Sequence, residues 1–327
     1  MWRRCRCFPA ILMDFKISSV SLDQIETGDH TFKITTNTEK TELALSVSAI
    51  GLLQPPVLKK SVRDFTVVCG FRRIAVCEAL GIATIPARIL NSDFSKIGCA
   101  QIAISDNSSQ RKLNVVEQSR AYALIRKFAE HSSDWLKILE STGLASSQAA
   151  MDRIIPVAGM PASLQDAILE GSIALPVALH INRLGNDDAV SLCGLFRQLT
   201  TGLNIQRELL ELISEISLRD DIPVARLIEQ ADIAEIIENS DVPAPQNVQH
   251  LRMILKAKRY PELSKVEASY HQKVKSLKLN PRIQIQPPRF FEGKSYRLSL
   301  TVESRSQLKT LQSELDKLAH HPNLLPE

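Results

Sequence analysis

The spacing of apolar positions changes period several times along the chain. Phe65-Thr-Val-Val-Cys69 is aromatic and β-branched, which predicts a buried strand. Gly70 then permits a tight turn, and Ile74, Cys77, Ala79 and Leu80 fall near one helical face before Gly81. This strand–turn–helix unit anchors the N-terminal third. Around it, Asp14 to Ile17 and Thr31 to Thr35 read as short strands, and Glu42 to Ile50 as a helix stopped by Gly51. Pro55-Pro56 forces an extended entry into the next strand. Ile82 to Leu90 reads as a strand interrupted by Pro86, and Ser95 to Ile104 as a helix. Asp106-Asn-Ser-Ser109 has the composition of a loop or cap, and Asn114 with Glu117 opens a helix that runs to His131.

The second third carries helical periods only. Ser133 to Gly143 and Ser147 to Ile155 are two short helices separated by a turn, the layout of a helix-turn-helix. Ser146, Ser147, Gln148 and Arg153 are the side chains that this second helix would offer to DNA: Gln148 to adenine and the serines to phosphates. No basic cluster accompanies them, Pro156 ends the helix early, and a purely structural helical pair fits the same pattern. Helices at Leu203 to Ile216 and Pro223 to Ile237 complete this region. Asn239 to Asn247 is polar and proline-punctuated, as a linker would be. Beyond it, Val248 to Lys258 and Ser264 to Leu277 read as helices and Arg282 to Gln286 as a strand. Tyr296, Leu298, Leu300 and Val302 alternate along a second strand. Ser304 and Gln307 form a capping box for a helix with Leu308, Leu311, Leu315 and Leu318 on one face.

The expected fold class is α+β: a small mixed α/β N-terminal domain at 13–112, an all-helical middle domain with a helix-turn-helix at 113–238, a linker at 239–247 and a small α+β C-terminal domain at 248–327. Residues 1–12 read as an extension ahead of a more conventional start at Met13. Two strands and a helix hide little surface alone, so the C-terminal domain is expected to pack on the preceding helices or to dimerise.

Composition adds limits. With 327 residues there is chain enough for two or three domains. The net charge of +4 is compatible with nucleic-acid contact without being diagnostic of it. No apolar run approaches the ~20 residues of a membrane helix, so no membrane role is expected. The six cysteines show neither disulfide nor zinc spacing, which fits a reducing cytoplasm.

The candidate chemistry centres on Arg72-Arg73. A helix dipole disfavours cations in the first turn by ~0.3–1 kcal/mol each. Two arginines there make sense if an anion shares the site; pairing with carboxylates or solvent is the plain alternative. Asp106 and Asn107 are neighbouring hard oxygen donors of the kind that hold Mg²⁺ beside a polyphosphate, and Gln110, Arg111 and Lys112 add phosphate donors. Arg73→Ala is expected to abolish anion binding with almost no loss of stability.

These motifs, in this order, resemble the N-terminal domain of the ParB/KorB-like partition proteins. The carrying residues are Gly51, Gln54-Pro55, Gly70-Phe-Arg-Arg73, Gly81 with Ile85-Pro86, Asp106-Asn107, and Leu113-Asn114 with Glu117. The resemblance implies CTP and Mg²⁺ as ligands, with nucleotide contacts from Gln54, Gly70, Phe71, Arg72, Arg73, Asp106, Asn107, Gln110 and Arg111, and Mg²⁺ on Asp106 and Asn107. It further implies double-stranded DNA as a partner, a homodimer, a ParA-type ATPase, a cytoplasmic, nucleoid- or plasmid-associated location, and a role in plasmid or chromosome partition or in transcriptional regulation. Phe71 stands where the family has glutamate, Asp106 where it has glutamate, and the family's arginine falls in register on Gln110, with Arg111 one place later. The missing carboxylate at Phe71 limits the implied enzyme activity to a weak CTPase at most. The alternatives are a ParB-like nuclease and a non-catalytic adaptor that has lost nucleotide binding.

Overall fold

The computed structural model describes residues 16–129, 135, 138–140, 142, 144, 147–239, 241–293, 295–304, 307, 311–312 and 315–316. The extension at 1–12, Met13, Asp14, Ser146, most of the helix expected at 133–143, and Leu308 and Leu318 lie outside the described residues. The chain is α+β and divides into two units at Gly171 and Ser172. No helix among the described residues is long and apolar enough to cross a membrane.

The first unit is built on strands β1 (Lys16–Ser21), β2 (Ile25–Glu26), β3 (Val57–Lys60), β4 (Phe65–Cys69) and β5 (Thr84–Leu90). They form one sheet in the order β1-β5-β3-β4-β2. β5 runs antiparallel to β1 and parallel to β3, and β3 runs antiparallel to β4. Alternation along the central strands serves two cores. Leu58 and Val67 pack with Val47 of helix α1 (Thr41–Ile50) and with Ile74 and Cys77 of helix α2 (Phe71–Ala79). Val57 and Val68 pack on the other face with Cys99 and Ile104 of helix α3 (Lys96–Ser108) and with Tyr122 and Ile125 of helix α4 (Val115–Phe128). Pro86 sits outside the stretch of β5 that pairs with β3, so its missing N–H removes no bond from that ladder.

Four local expectations change. Thr31 to Thr35 is not a strand: Phe32 and Ile34 are buried as the alternation requires, but Lys33 closes a turn on His30 and Thr36 N–H donates to the Glu117 carboxylate instead of to a neighbouring strand. Helix α3 runs to Ser108, so Asp106 and Asn107 lie in its last turn and not in a loop. In α2 the buried positions are Ile74, Val76 and Cys77, whereas Ala79 and Leu80 are exposed. The helix expected from Pro223 to Ile237 is two, α10 (Val224–Ile228) and α11 (Ala231–Glu238), once the intervening helices are numbered in order.

Those intervening elements are α5 (Gln148–Ile154) and α6 (Ala162–Glu170) in the first unit, and α7 (Leu175–Ile181), α8 (Asn186–Leu199) and α9 (Leu203–Asp220) in the second. The second unit continues with α12 (Ala244–Arg259), α13 (Pro261–Ser276) and an antiparallel pair, β6 (Ile283–Gln286) and β7 (Arg297–Leu300). Helix α12 starts inside the stretch read as a linker, and its Asn247 is buried, donating to Asn239 O at 2.9 Å. Gln206, to which the sequence assigns no chemistry, is a buried amide with every polar atom engaged. Its Nε2 donates to Ser172 O and Thr201 O, and its Oε1 accepts from Ala174 N–H. Leu298 and Leu300 on β7 and Val302 beyond it alternate as expected, yet remain exposed.

Candidate nucleotide site

Gly70 closes β4 and opens α2 at φ +94°, a left-handed conformation open to glycine at little cost. A Cβ there would lie 2.7 Å from Pro56 Cβ, so Gly70 also permits close packing against the Pro55-Pro56 entry to β3. Since Gly70 carries no capping side chain, the first-turn N–H groups of α2 are left for an outside acceptor.

A cavity of about 200 Å³ opens over this turn. Gln54, Gly70, Phe71, Arg72 and Arg73 line one side, and Asp106, Asn107, Gln110 and Arg111 line another. All nine positions singled out for a nucleotide therefore line one cavity, although they come from three separated stretches. The apolar part of the wall includes Phe32, Ile34 and Val68. Phe32 and Ile34 were expected in a strand, with nothing in the sequence to tie them to the site.

The cations of the cavity are engaged to different degrees. Arg72 Nε donates to Glu39 O at 3.0 Å. Arg73 donates to Gln54 O at 2.8 Å and pairs with Asp106 Oδ2 at 3.3 Å. Arg73 thus braces the loop before β3, and Arg73→Ala will cost stability as well as charge; the sequence expectation of an almost silent apo effect is revised. Arg111 is the most firmly held. Its guanidinium forks onto Glu117 at 2.7 and 2.6 Å, and Glu117 is fully buried. Burial alone would raise the Glu117 pKa. The Arg111 fork and the N–H groups of Thr36 and Asn114 outweigh it and hold the carboxyl below the usual glutamate range. The expected Asn114–Glu117 cap is present, but Glu117 also holds Thr36, the residue after the lining Thr35, and clamps Arg111.

Asp106 and Asn107 supply one carboxylate and one amide. The Asn107 nitrogen donates to Ala103 O at 2.8 Å. Among the described residues no group of three or more His, Cys, Asp or Glu could hold a metal. A Mg²⁺ here would therefore depend on phosphate oxygens and water for most of its shell, which is how this ion commonly binds. Cys69 faces the same carboxylate. Burial, and then the charge of Asp106, push its thiol up to about 12, so it is no nucleophile at neutral pH. The sequence places Cys69 one residue ahead of the Gly70 turn, but nothing in it sets the thiol against Asp106.

The helix-turn-helix candidates are arranged differently. Ser147 caps α5, accepting from Ala150 N–H. Gln148 Nε2 reaches Asp152 Oδ2 at 3.3 Å, and Asp152 pairs with Arg126 at 3.1 Å. Arg153 is exposed.

A glycine turn, an uncapped helix start and two arginines thus share one cavity with an acid–amide pair in a mixed α/β domain. Residues 13–108 match the ParB N-terminal domain family, and over that stretch the chain is similar to ParB-like proteins. It is 26% identical over 134 residues to stage 0 sporulation protein J of Bacillus subtilis, covering 41% of this chain and 45% of that protein. It is 22% identical over 211 residues to a probable plasmid-partitioning protein ParB of Thermus thermophilus, covering 55% of this chain and 69% of that protein. The match thus spans less than half the length of the first of these relatives. The chain also aligns with the C-terminally truncated chromosome-partitioning protein ParB of Caulobacter crescentus in complex with CTP-γ-S, at 20% identity and a TM-score of 0.26, over 55% of this chain and 98% of that one.

Proposed function

We propose that the Gly70 cavity binds CTP with Mg²⁺, and that nucleotide occupancy switches a homodimer of this chain between states that hold double-stranded DNA differently. The convergence of Gly70, Arg72, Arg73, Asp106 and Asn107 on one cavity inside the ParB N-terminal domain carries this reading. The α2 N–H groups and the two arginines would take the phosphates, with Gln54 at the nucleotide's edge. Arg73 and Asp106 pair with each other at 3.3 Å. Phosphate and metal would offer each a stronger partner, Arg73 turning to phosphate and Asp106, with Asn107, to Mg²⁺. The cavity works as a switch only if the two states differ in CTP affinity.

DNA would be engaged through α5, with Ser146, Ser147, Gln148 and Arg153 as contacts, and the C-terminal part would supply the dimer contact. The exposed Leu298, Leu300 and Val302 favour that second role. Partition of a plasmid or chromosome, with a ParA-type ATPase and a nucleoid- or plasmid-associated location in the cytoplasm, is the biological role proposed; transcriptional control is the alternative use of the same parts.

A second reading, an adaptor without nucleotide, is favoured by Phe71 in the wall and by the Glu117 clamp on Arg111. Thermal unfolding with each of the four NTPs, with and without Mg²⁺, separates the two. A ligand at 100 times its Kd adds ~2.7 kcal/mol, so CTP with Mg²⁺ is expected to raise the midpoint by several degrees. An equal, null response to all four supports the adaptor.

A further inference from the structure

A second cavity lies at the other end of β4, sharing Phe32 with the first. Lys59 and Lys60 at the end of β3, Lys96 at the start of α3 and Lys127 at the end of α4 line it. It runs into a shallower depression that shares Thr31 and Lys127 and adds Lys33. Five lysines, drawn from four separated segments, thus follow one groove. None of the five makes an ion pair among the described residues. The one carboxylate in the lining, Asp29, instead accepts from Thr31 N–H at 2.8 Å. Lys96 and Lys127 both stand over the Phe128 ring, at 5.9 and 5.3 Å.

Like charges gathered without counter-ions repel one another, and the Phe128 contacts of Lys96 and Lys127 leave Lys33, Lys59 and Lys60 without a comparable partner among the described contacts. An anion in the groove removes that conflict. Lysines spread over two adjoining depressions suit a chain of anions better than a single one. Ammonium groups act as point charges with no preferred plane, which suits repeated contact with a phosphate backbone in any register. We infer that this lysine groove binds the phosphate backbone of DNA without regard to sequence, as a surface separate from both the Gly70 cavity and α5.

The test uses the full chain, a random-sequence DNA duplex and polyaspartate as the protein-like polyanion, with affinities measured across a salt series. The triple variant Lys59→Gln/Lys96→Gln/Lys127→Gln is expected to weaken duplex binding uniformly across sequences. The slope of log affinity against log salt should fall by about 0.9 for each lost phosphate contact, so by about two to three in all. The Lys→Arg triple variant should keep the wild-type slope, and CTP titrations of both should match the wild type, whichever way the nucleotide reading falls. An unchanged slope in the glutamine variant, loss of polyaspartate binding alone, failure of the arginine variant to retain the slope, or no duplex binding by the wild type would each overturn the proposal.

Discussion

Around Gly70 the fold gathers side chains from distant segments onto one space; at the start of α5 the side chains of Ser147 and Gln148 bond within their own helix. Gln54, the 70–73 turn and the 106–111 stretch meet at the cavity. Ser147, by contrast, spends its hydroxyl on its own helix, and Gln148 turns to Asp152 one turn away. Composition already separates the two, with an arginine pair at the turn and no basic cluster on the helix, and the structure widens the gap. Long-range convergence is the stronger mark of a site, because local bonds form in any well-capped helix whereas convergence has to be built by the whole fold.

The largest break in that comparison is expected at Glu117. Glu117→Ala leaves Arg111 without its partner and removes the acceptor of the Thr36 and Asn114 N–H groups. Arg111, 43% exposed, keeps water for its charge, so the loss comes mainly from the two orphaned N–H groups at ~1–3 kcal/mol each, which the urea midpoint of the first unit will register. The same carboxyl gives a pH signature. Its folded pKa is depressed, so its contribution is full above the unfolded glutamate value and is lost as pH falls through the folded one. The acid-side decline of stability should be shallower in Glu117→Gln than in the wild type.

Gly70→Ala comes next. It forces an alanine to φ +94° and a 2.7 Å contact with Pro56, so a loss of ~1–3 kcal/mol is expected, together with loss of nucleotide binding by calorimetry. Arg73→Ala should cost ~1 kcal/mol in the apo protein through its bond to Gln54 O, and should remove CTP binding. A full apo loss with CTP binding intact would make Arg73 a brace only. Gln148→Ala is the smallest: its exposed bond to Asp152 is worth under ~0.5 kcal/mol, and the expected effect is a drop in duplex affinity with an unchanged melting curve. An unchanged duplex affinity would leave α5 as a structural helix and widen the contrast with the cavity.

Much of the first unit was legible because its signals are local. The β-branched run at Phe65–Cys69, the glycines at 51, 70 and 81, and the Asn114–Glu117 cap each state their own conformation. What the sequence hid was long-range. Thr31 to Thr35 alternates like a strand but finds no ladder: Arg120 takes the carbonyls of Ile34 and Thr35, and Glu117 takes the N–H of the following Thr36. Asp106 and Asn107 have loop composition, yet Asn107 returns a bond to Ala103 O and the helix continues through them. The clamp on Arg111 and the lysine groove follow the same logic, since spacing does not reveal which carboxylate a cation will meet or fail to meet. The Phe71 departure was visible at once, and the structure gives it a place in the cavity wall, beside His30 at a ring separation of 6.1 Å.

The central claim is that the Gly70 cavity is a CTP site. Calorimetric titration of the four NTPs, with and without Mg²⁺, against wild type and Arg73→Ala tests it most directly. The account predicts saturable binding of CTP alone, dependent on Mg²⁺ and absent in the variant. Silence for all four nucleotides in well-folded wild-type protein, or CTP binding that survives Arg73→Ala unchanged, would contradict it.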